Sequence, residues 1–295
     1  MLDQAVPDIQ LGALLAALRL KGTTVAELQG FHSALARRTC QLLPSHDRVL
    51  PVVIPSYHGA HVHPNLMPLV ALLLARLEVP VLVHCTLEAY GGVSSAAVFR
   101  ELGVLPCSSL AEAQNELQRA NLALVPLSAL APGLASLLSL RGMLGMRNCA
   151  HAAAKTLDPF AGHSLRLIPA SRDADCATLR EFVALSGTRA LVMRATEGEA
   201  YADPQCRPTL ELVTDGMVVS LFAAEHTPVS HTRNLPQGVD ARATAAWIRG
   251  VLDGRTPLPP PLANQLACCV YGAGKTDDFN QAKAIIALGA HARAA

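Results

Sequence analysis

The sequence predicts an α/β protein in which a small helical domain precedes a larger α/β domain with a central, largely parallel sheet. From residue 52 onward, short apolar runs alternate with segments of helical apolar spacing, the pattern of strands joined by crossover helices. Before residue 45 only helical spacing is present. We therefore expect a helical domain at 1–44, joined in space by helices from 134–158, and an α/β domain at 45–295.

The composition favours a folded chain with a sizeable apolar core. Of the 295 residues, 51% are apolar and 16% are charged, which excludes a disordered or fibrous protein. The most apolar stretch, 66–83, contains Arg76, Glu78 and Pro80, whereas a membrane span needs about 20 apolar residues. The eight cysteines form no C-x-x-C motif, and the N-terminus lacks a signal-peptide pattern. We expect buried thiols, a cytoplasmic location and no membrane partner.

The first two helices are marked by residues at their ends. Residues 8–18 have helical apolar spacing, and Gly22 is a typical helix stop. Thr24 and Glu27 form the pattern of a capping box, in which hydroxyl and carboxylate satisfy free backbone N–H groups at a helix start. The helix that they open is expected to run to about Thr39.

The remainder of the chain alternates between predicted strands and predicted helices. The strands are the short apolar runs Val52–Ile54, Val81–Val83, Leu122–Val125, Leu165–Ile168, Ala190–Met193 and Val218–Leu221. The helices cover residues 65–78, 94–102, 111–119, 134–160, 175–186, 241–252, 262–272 and 278–288. The expected loops are 226–238 and the proline-rich 256–261.

The small net charge of +1 hides an uneven distribution along the chain. Residues 1–140 carry −1, residues 141–194 carry +4, residues 195–240 carry −5 and residues 241–295 carry +3. Either these charges average out over solvated faces, or a basic patch centred on 141–166 faces an anion. The sequence leaves both interpretations open.

Basic residues at helical spacing favour the second interpretation. On a continuous helix, steps of four would place Arg147, His151 and Lys155 on one face, with Arg141 six residues before Arg147. Such a row of donors suits phosphate oxygens, because arginine offers a planar fork and lysine a mobile point charge. The alternative is an exposed cationic helix face without a ligand.

Two further clusters have open interpretations. The segment 57–63 follows a predicted strand and contains three histidines, which could bind a metal, face a phosphate or form an ordinary surface turn. Glu197, Glu199 and Asp203 also follow a strand, and they could hold magnesium, cap the next turn or repel anions. No G-x-G-x-x-G, P-loop, G-x-S-x-G or H-E-x-x-H motif is present, so those chemistries have no support.

Several segments resemble anthranilate phosphoribosyltransferase and its relatives. The similarity lies in 7–15, 18–22 and 28–31, in the R-x-x-L-G-x-R run at Arg141–Arg147, and in Asp158-Pro159 where the family has Asn-Pro. It extends over nearly the whole chain. The resemblance implies a phosphoribosyltransferase or nucleoside-phosphorylase-like fold.

A finer resemblance is to the YbiB-like, noncatalytic subgroup of that family. It lies in Ile54–Tyr57, in Gly145–His151 with Lys155, in Thr196–Ala202 and in Gln265–Cys269. The resemblance implies a homodimer whose basic grooves hold nucleic acid, DNA or RNA, without reading its sequence. Phosphate contacts would carry such binding, which makes it salt-dependent.

The enzyme's motifs are degenerate in this chain. Its Gly-Thr-Gly-Gly-Asp pyrophosphate loop falls at Pro55–Gly59, where only Gly59 survives, and its Lys-His-Gly falls on Val83–Cys85. Its Asp-Glu magnesium pair falls on Ala200-Tyr201, and its Gly-Pro-Leu turn on Ala154–Thr156. The resemblance therefore implies loss of phosphoribosyl transfer and no cofactor. The alternative is an active transferase that uses phosphoribosyl pyrophosphate, an unknown acceptor and Mg²⁺.

These patterns give a definite set of candidate residues and no catalytic residue. The predicted nucleic-acid-binding residues are Arg141, Arg147, His151, Lys155 and Arg166. The degenerate ligand loop consists of Ser56, Tyr57, His58 and Gly59, with His84 beside it. No metal site is predicted, and a magnesium ion in the alternative function would depend on Glu197 or Glu199. An acidic protein is a further possible partner for the basic residues.

Overall fold

The structure is a computed structural model that describes residues 1–44, 48–225, 235–236 and 238–289. Its strands are β1 (Val52–Ser56), β2 (Val81–Cys85), β3 (Leu122–Pro126), β4 (Leu165–Ala170), β5 (Ala190–Arg194), β6 (Leu210–Thr214) and β7 (Met217–Phe222). The first helices are α1 (Asp8–Lys21), α2 (Val25–Ala36), α3 (Met67–Arg76), α4 (Ser95–Glu101), α5 (Leu110–Ala120) and α6 (Leu127–Leu130). The later ones are α7 (Pro132–Ser139), α8 (Arg141–Leu144), α9 (Ala150–Ala154), α10 (Asp173–Ser186), α11 (Ala241–Leu252), α12 (Pro260–Gly272) and α13 (Phe279–Gly289).

The strands form one sheet in the order β3-β2-β1-β4-β5-β6-β7. The pairs from β3 to β5 are all parallel, whereas β6 and β7 pair antiparallel. This confirms the predicted α/β fold with a largely parallel sheet. Because parallel strands end at one edge, the loops after β1, β4 and β5 lie together, where open α/β sheets bind ligands.

Strand β6 was not expected from the sequence. Its residues, Leu-Glu-Leu-Val-Thr, follow Pro208 and include the partly exposed Glu211, so they lack the uninterrupted apolar run of the buried strands. The loop expected at 226–238 lies mostly outside the described residues, since 226–234 and 237 are not among them.

The segment expected to be helical over 134–160 does form helices, but the continuous helix assumed for Arg147, His151 and Lys155 is wrong, because the chain forms the separate helices α7, α8 and α9. Gly145 ends α8 in the left-handed conformation, at φ +65°, which a glycine adopts without strain. Asn148 then holds the turn, because its amide nitrogen donates to the Leu137 carbonyl and its side-chain oxygen accepts from the Ala150 N–H. The break separates Arg147 from the helix that bears His151.

The N-terminal helices are fixed by the predicted end signals. The Thr24–Glu27 capping box is formed, and α1 ends before Gly22. Helix α2 ends at Ala36, earlier than the predicted Thr39. Leu11 and Leu15 of α1 share a buried cluster with Leu134, Leu138 and Ala153, so α1 packs on the segment that also carries the basic residues.

All eight cysteines are free thiols, as predicted, and Cys85, Cys107, Cys149, Cys268 and Cys269 are buried. The expectation of burial is wrong for Cys40, which is exposed, and only partly met for Cys176 and Cys206. Over the described residues, no helix combines the length and apolarity needed to cross a membrane.

Candidate functional site

A cleft of about 640 Å³ opens between the last turn of α1, the segment before and through α9, and the start of α10. Its loops follow β1 and β4, at the edge of the sheet where parallel strands end. The charged side chains that line it are Arg19, Lys21, Arg147, Lys155, Arg172 and Asp175. Five are basic and one is acidic, so the lining carries excess positive charge.

Part of this charge is compensated within the chain. Lys21 contacts Glu27 at 2.5 Å, and Arg172 contacts Asp175 at 2.7 Å. Within the described ranges, Arg19, Arg147 and Lys155 have neither a salt bridge nor a side-chain hydrogen bond. We call these three cations the unpaired triad. They are the charged groups of the cleft that are available to bind an anion.

The residues predicted as a helical row reach the same cleft by another route. Arg147 lies in the turn after Gly145, His151 lies in α9, and Lys155 caps the end of α9. The imidazoles of His151 and His58 are edge-to-face, with ring centroids 6.4 Å apart, and both line the cleft. The spacing thus correctly predicted that Arg147, His151 and Lys155 lie close together, although the continuous helix assumed for them does not form.

Arg141 lies beside the cleft without lining it. Its guanidinium stacks 4.8 Å from the centre of the Tyr90 ring, and its Nη1 is buried without a hydrogen-bond partner. Its charge still lowers the pKa of Arg147. Arg141 therefore acts on the cleft through its electric field.

Arg166 is a correction to the predicted binding residues. It lies in β4 with 1% of its surface exposed, and it donates to the Thr156 carbonyl and to the Thr188 hydroxyl. A guanidinium enclosed in this way does not reach a ligand on the surface. It ties the end of the α9 segment to the sheet, and its role is structural.

Burial and mutual repulsion shift the pKa values of the cleft residues. Burial, followed by the charges of Arg141 and Arg19, lowers the pKa of Arg147 to about 10. Burial is also the main cause that lowers the pKa of Lys155 to about 8 and that of His151 to about 3. Burial and then Lys155 hold the pKa of His58 well below its usual value. At neutral pH the histidines are uncharged, and the charges of Asp175 and Glu199 offset the repulsion among the cations only in part.

The degenerate ligand loop is occupied by a carboxylate of the chain itself. Glu199, which is fully buried, accepts from the backbone N–H groups of His58 at 2.8 Å and Gly59 at 2.9 Å. The hydroxyls of Ser56 and Ser95 donate to its other oxygen at 2.6 and 3.1 Å. Backbone amides that could cradle a phosphate therefore already hold an anion.

Glu197 does the same for the next part of the loop. Its carboxylate accepts from the backbone N–H groups of His61, Val62 and His63, at 2.5 to 3.0 Å. Between the two glutamates, Gly198 has φ +88°, and a Cβ there would lie 2.7 Å from the His58 ring. None of the three uses considered for the acidic cluster describes these contacts, because Glu197 and Glu199 cap a loop that is distant in sequence. Asp203 alone caps the turn that follows it, by accepting from the Gln205 N–H at 2.8 Å.

The three-histidine segment does not form a metal site with its neighbours. Throughout the described part of the chain, no group of three His, Cys, Asp or Glu side chains is arranged to hold a metal ion. His58 is buried, whereas His61 and His63 follow it on the surface side of the loop. The segment is a backbone-anchored turn whose first histidine faces the cleft.

Tyr57 and His84 lie in the core, and neither lines the cleft. The Tyr57 hydroxyl contacts His84 Nδ1, and both side chains are buried. Burial lowers the pKa of His84 to about 3, and its Nε2 has no hydrogen-bond partner. The degenerate loop is thus divided between an interior part and a part that faces the cleft.

Sequence reasoning missed Arg19, Lys21 and Arg172. The first two lie in the last turn of α1, where basic residues are common because they complement the helix dipole. Their local position therefore gives no indication of the site that they form with residues more than 120 positions away. The one available signal was that both residues lie in the last turn before Gly22. The chain turns at this glycine, at the edge of the cleft.

The sequence is similar to proteins of known family along most of its length. Residues 1–39 match the profile of the glycosyl transferase family helical bundle domain. YbiB of Escherichia coli K12 is 40% identical over 277 residues, which cover 93% of this chain and 86% of that protein. An anthranilate phosphoribosyltransferase from Prochlorococcus marinus MIT 9313 is 27% identical and covers 94% and 80%.

Solved structures show the same fold. Anthranilate phosphoribosyltransferase from Thermus thermophilus matches with a TM-score of 0.77 at 20% identity, over 98% of this chain and 87% of that one. The Saccharomyces cerevisiae enzyme in complex with PRPP and Mg matches with a TM-score of 0.70 at 12% identity, over 98% and 85%. These matches confirm the predicted phosphoribosyltransferase-like scaffold with its N-terminal helical domain.

Proposed function

This chain belongs to the family of Escherichia coli YbiB and shares the scaffold of anthranilate phosphoribosyltransferase, and on that premise we propose that it binds nucleic acid. Binding occurs in the basic cleft, through backbone phosphates of DNA or RNA, without sequence reading and without phosphoribosyl transfer. The observation that carries the proposal is the unpaired triad of Arg19, Arg147 and Lys155.

The physical argument is one of charge compensation. Burial and repulsion among these cations together outweigh the attraction of the nearby carboxylates Asp175 and Glu199. A polyanion relieves this repulsion while it releases its own counterions. A nucleic-acid strand supplies phosphates at regular intervals, so it can occupy the cleft and continue along the protein surface. Aromatic residues make up only 4% of the chain, which favours phosphate contacts over base stacking as the main interaction.

The surroundings of the degenerate loop argue against phosphoribosyl transfer. Its amides already donate to Glu197 and Glu199, so a pyrophosphate would have to displace two carboxylates that belong to the fold. Ala200 and Tyr201, at the positions of the enzyme's magnesium pair, are buried and carry no carboxylate. The residues present here therefore do not fit a magnesium-bound diphosphate.

We include a homodimer in this proposal. Ile9 and Leu20 of α1 are 89% and 87% exposed, and two large apolar side chains on one helix favour coverage by a second surface. A dimer would place two copies of the cleft on one particle. Such an arrangement would strengthen binding to a long strand through avidity.

The affinity for a short single strand, measured at about 50 and 200 mM salt, tests the nucleic-acid proposal. We expect affinity to fall steeply with salt, because each phosphate contact releases counterions. For a single strand, each contact adds about −0.7 to the slope of log affinity against log salt concentration. The Arg147→Ala/Lys155→Ala double variant should flatten the slope by about 1.4 on the same scale. Arg119→Ala, which removes an exposed arginine already paired with Glu116, is the matched control.

Two results would contradict the proposal. Affinity that does not change with salt would exclude phosphate contacts as the source of binding. Saturable heat in a calorimetric titration with phosphoribosyl pyrophosphate and Mg²⁺ would instead favour the transferase alternative.

A further inference from the structure

We propose that Lys155 is a nucleophilic amine with which the cleft captures aldehydes that carry phosphate groups. The ring-opened sugar of an abasic site in a nucleic-acid strand has this chemistry, and so does a small phosphorylated aldehyde. The first source rests on the proposed function, since nucleic-acid binding would bring the abasic sugar to the cleft. In the reaction, Nζ bonds to the carbonyl carbon, the C–O bond breaks, and the oxygen leaves as water with the two amine protons.

The position of Lys155 is the first argument. It ends α9, it lines the cleft, and only 8% of its surface is exposed. In the described chain its ammonium has no hydrogen bond and no salt bridge, although a buried cation is normally paired. An unpaired lysine in a cavity therefore needs an explanation other than stability.

The second argument is the electrostatic surroundings of the amine. It is faced by Arg147 from the preceding turn, by Asp175 and Cys176 from α10, and by Glu199 from the loop after β5. His58 and His151, both neutral, line the same cleft. Burial outweighs the carboxylates and lowers the pKa of Lys155 to about 8. At pH 7 a larger fraction of this amine is therefore unprotonated than of an ordinary lysine.

The third argument is that the other two members of the unpaired triad complement the amine. Arg19 and Arg147 line the same cleft and can hold phosphate oxygens beside Lys155. A guanidinium group is a strong phosphate donor and a poor nucleophile, so these two arginines can bind the phosphate without competing for the aldehyde. The cleft thus combines a phosphate-binding part with one nucleophile.

Reductive trapping tests the proposal on the intact protein. Sodium cyanoborohydride converts an imine to a stable secondary amine, and the four lysines of the chain make the labelled position easy to map by mass spectrometry. The probes are a single strand with one abasic site, an intact strand of the same length, pyridoxal 5′-phosphate, and pyridoxal without phosphate. Binding of the intact strand is measured in parallel.

We expect label on Lys155 from the abasic strand and from pyridoxal 5′-phosphate, with at least tenfold less from pyridoxal. Lys155→Arg keeps the positive charge and should lose at least tenfold of the label. Lys275→Arg, at a surface lysine paired with Glu78, should retain it. Trapping should become faster between pH 7 and 8.5, because more of the amine is then unprotonated.

The arms separate this proposal from the proposed function. Label on Lys155 from pyridoxal 5′-phosphate alone supports the aldehyde site with a small molecule as its source, whatever the intact strand does. Salt-dependent binding of the intact strand without label from either phosphorylated aldehyde overturns the aldehyde site and leaves nucleic-acid binding standing. Equal labelling of the other lysines or of the N-terminal amine, or undiminished labelling of Lys155→Arg, also overturns it.

Discussion

Arg147 and Arg166 have the same side chain in opposite surroundings. Arg147 is half-buried at the cleft and is a member of the unpaired triad. Arg166 is enclosed in β4, where its guanidinium satisfies the Thr156 carbonyl and the Thr188 hydroxyl. The first arginine is free to bind a ligand, whereas the second holds two segments of the fold together.

Alanine substitutions should separate these two roles. Arg166→Ala removes a buried charged donor and leaves the Thr156 carbonyl unpaired, so the free energy of unfolding should fall by about 3 kcal/mol. Arg147→Ala should change stability by less than about 0.5 kcal/mol and weaken binding of a single strand. Urea denaturation and a fluorescence binding assay measure the two effects. A loss of binding by a still-folded Arg166→Ala protein, with Arg147→Ala unaffected, would reverse the assignment.

The sequence already carried a signal for this difference. Arg166 interrupts the apolar strand Leu165–Ile168, and a strand in the middle of a parallel sheet is covered on both faces. A basic residue in such a run has to be enclosed. Arg147, in contrast, follows Gly145, where a helix ends and side chains reach solvent. Counting charge by segment placed both residues in one patch because it ignored the elements that bear them.

At the scale of elements, side chains of the turn after β5 cap backbone N–H groups of the loop after β1. Glu197 and Glu199 together accept five backbone N–H groups from that loop, and Glu199 also accepts from two serine hydroxyls. The left-handed backbone at Glu197 and Gly198, φ +54° and +88°, aims both carboxylates at the same loop. Each glutamate occupies the place where an anion would otherwise bind backbone amides.

Removal of Glu199 should open this place to a phosphate compound. Glu199→Ala leaves the His58 and Gly59 N–H groups buried and unsatisfied, so we expect the free energy of unfolding to fall by about 3 kcal/mol. Inorganic pyrophosphate should then raise the melting temperature of this variant but not that of the unaltered protein. Glu88→Ala, at an exposed position, is the control for lost negative charge. Equal stabilisation of all three proteins would indicate a nonspecific anion effect.

What the sequence could predict at this scale follows from periodicity. Apolar runs placed β1 to β5, because burial on both faces requires continuous apolar residues. An apolar run also placed β7, although most of its residues are exposed. The same reasoning joined α7, α8 and α9 into one helix, because it gave too little weight to Gly145 and Asn148. The contacts of Glu197 and Glu199 with residues more than 130 positions away had no local signal at all.

At the scale of the molecule, the cleft is assembled from three distant parts of the chain. The last turn of α1, the segment 147–155 and the start of α10 each contribute basic residues, while the whole chain has a net charge of +1. Segment charges could indicate residues 147–155 and Arg172, which lie in the basic segment 141–194, but not the last turn of α1. The convergence depends on the packing of α1 and of α10 beside α9, which only the folded chain displays.

The same burial that creates the cleft makes the fold sensitive to acid. His84 and His151 have pKa values of about 3 in the folded protein because burial disfavours their charged forms, whereas an unfolded histidine titrates at about 6.5. Between these values the unfolded chain binds more protons than the folded chain. Stability is therefore fully present above pH 6.5 and is lost progressively as the pH falls toward 3.

The pH dependence of the free energy of unfolding should therefore show the contribution of His151. Each histidine that stays neutral in the fold contributes a slope of about 1.4 kcal/mol per pH unit within that window. His151→Asn should reduce the slope between about pH 6 and 4 by one such increment, whereas His163→Asn, at an exposed position, should leave it unchanged. Urea denaturation at a series of pH values measures both.

Occupation of the cleft links this stability to binding. A polyanion placed beside Arg147 and Lys155 favours the protonated amine of Lys155, whose pKa is about 8 in the folded protein. A single strand should therefore stabilise the protein more at pH 7 than at pH 9, and the difference should shrink in Lys155→Arg, which stays charged at both pH values. Equal stabilisation of the unaltered protein at both pH values would place the bound strand away from Lys155, and with it away from the cleft.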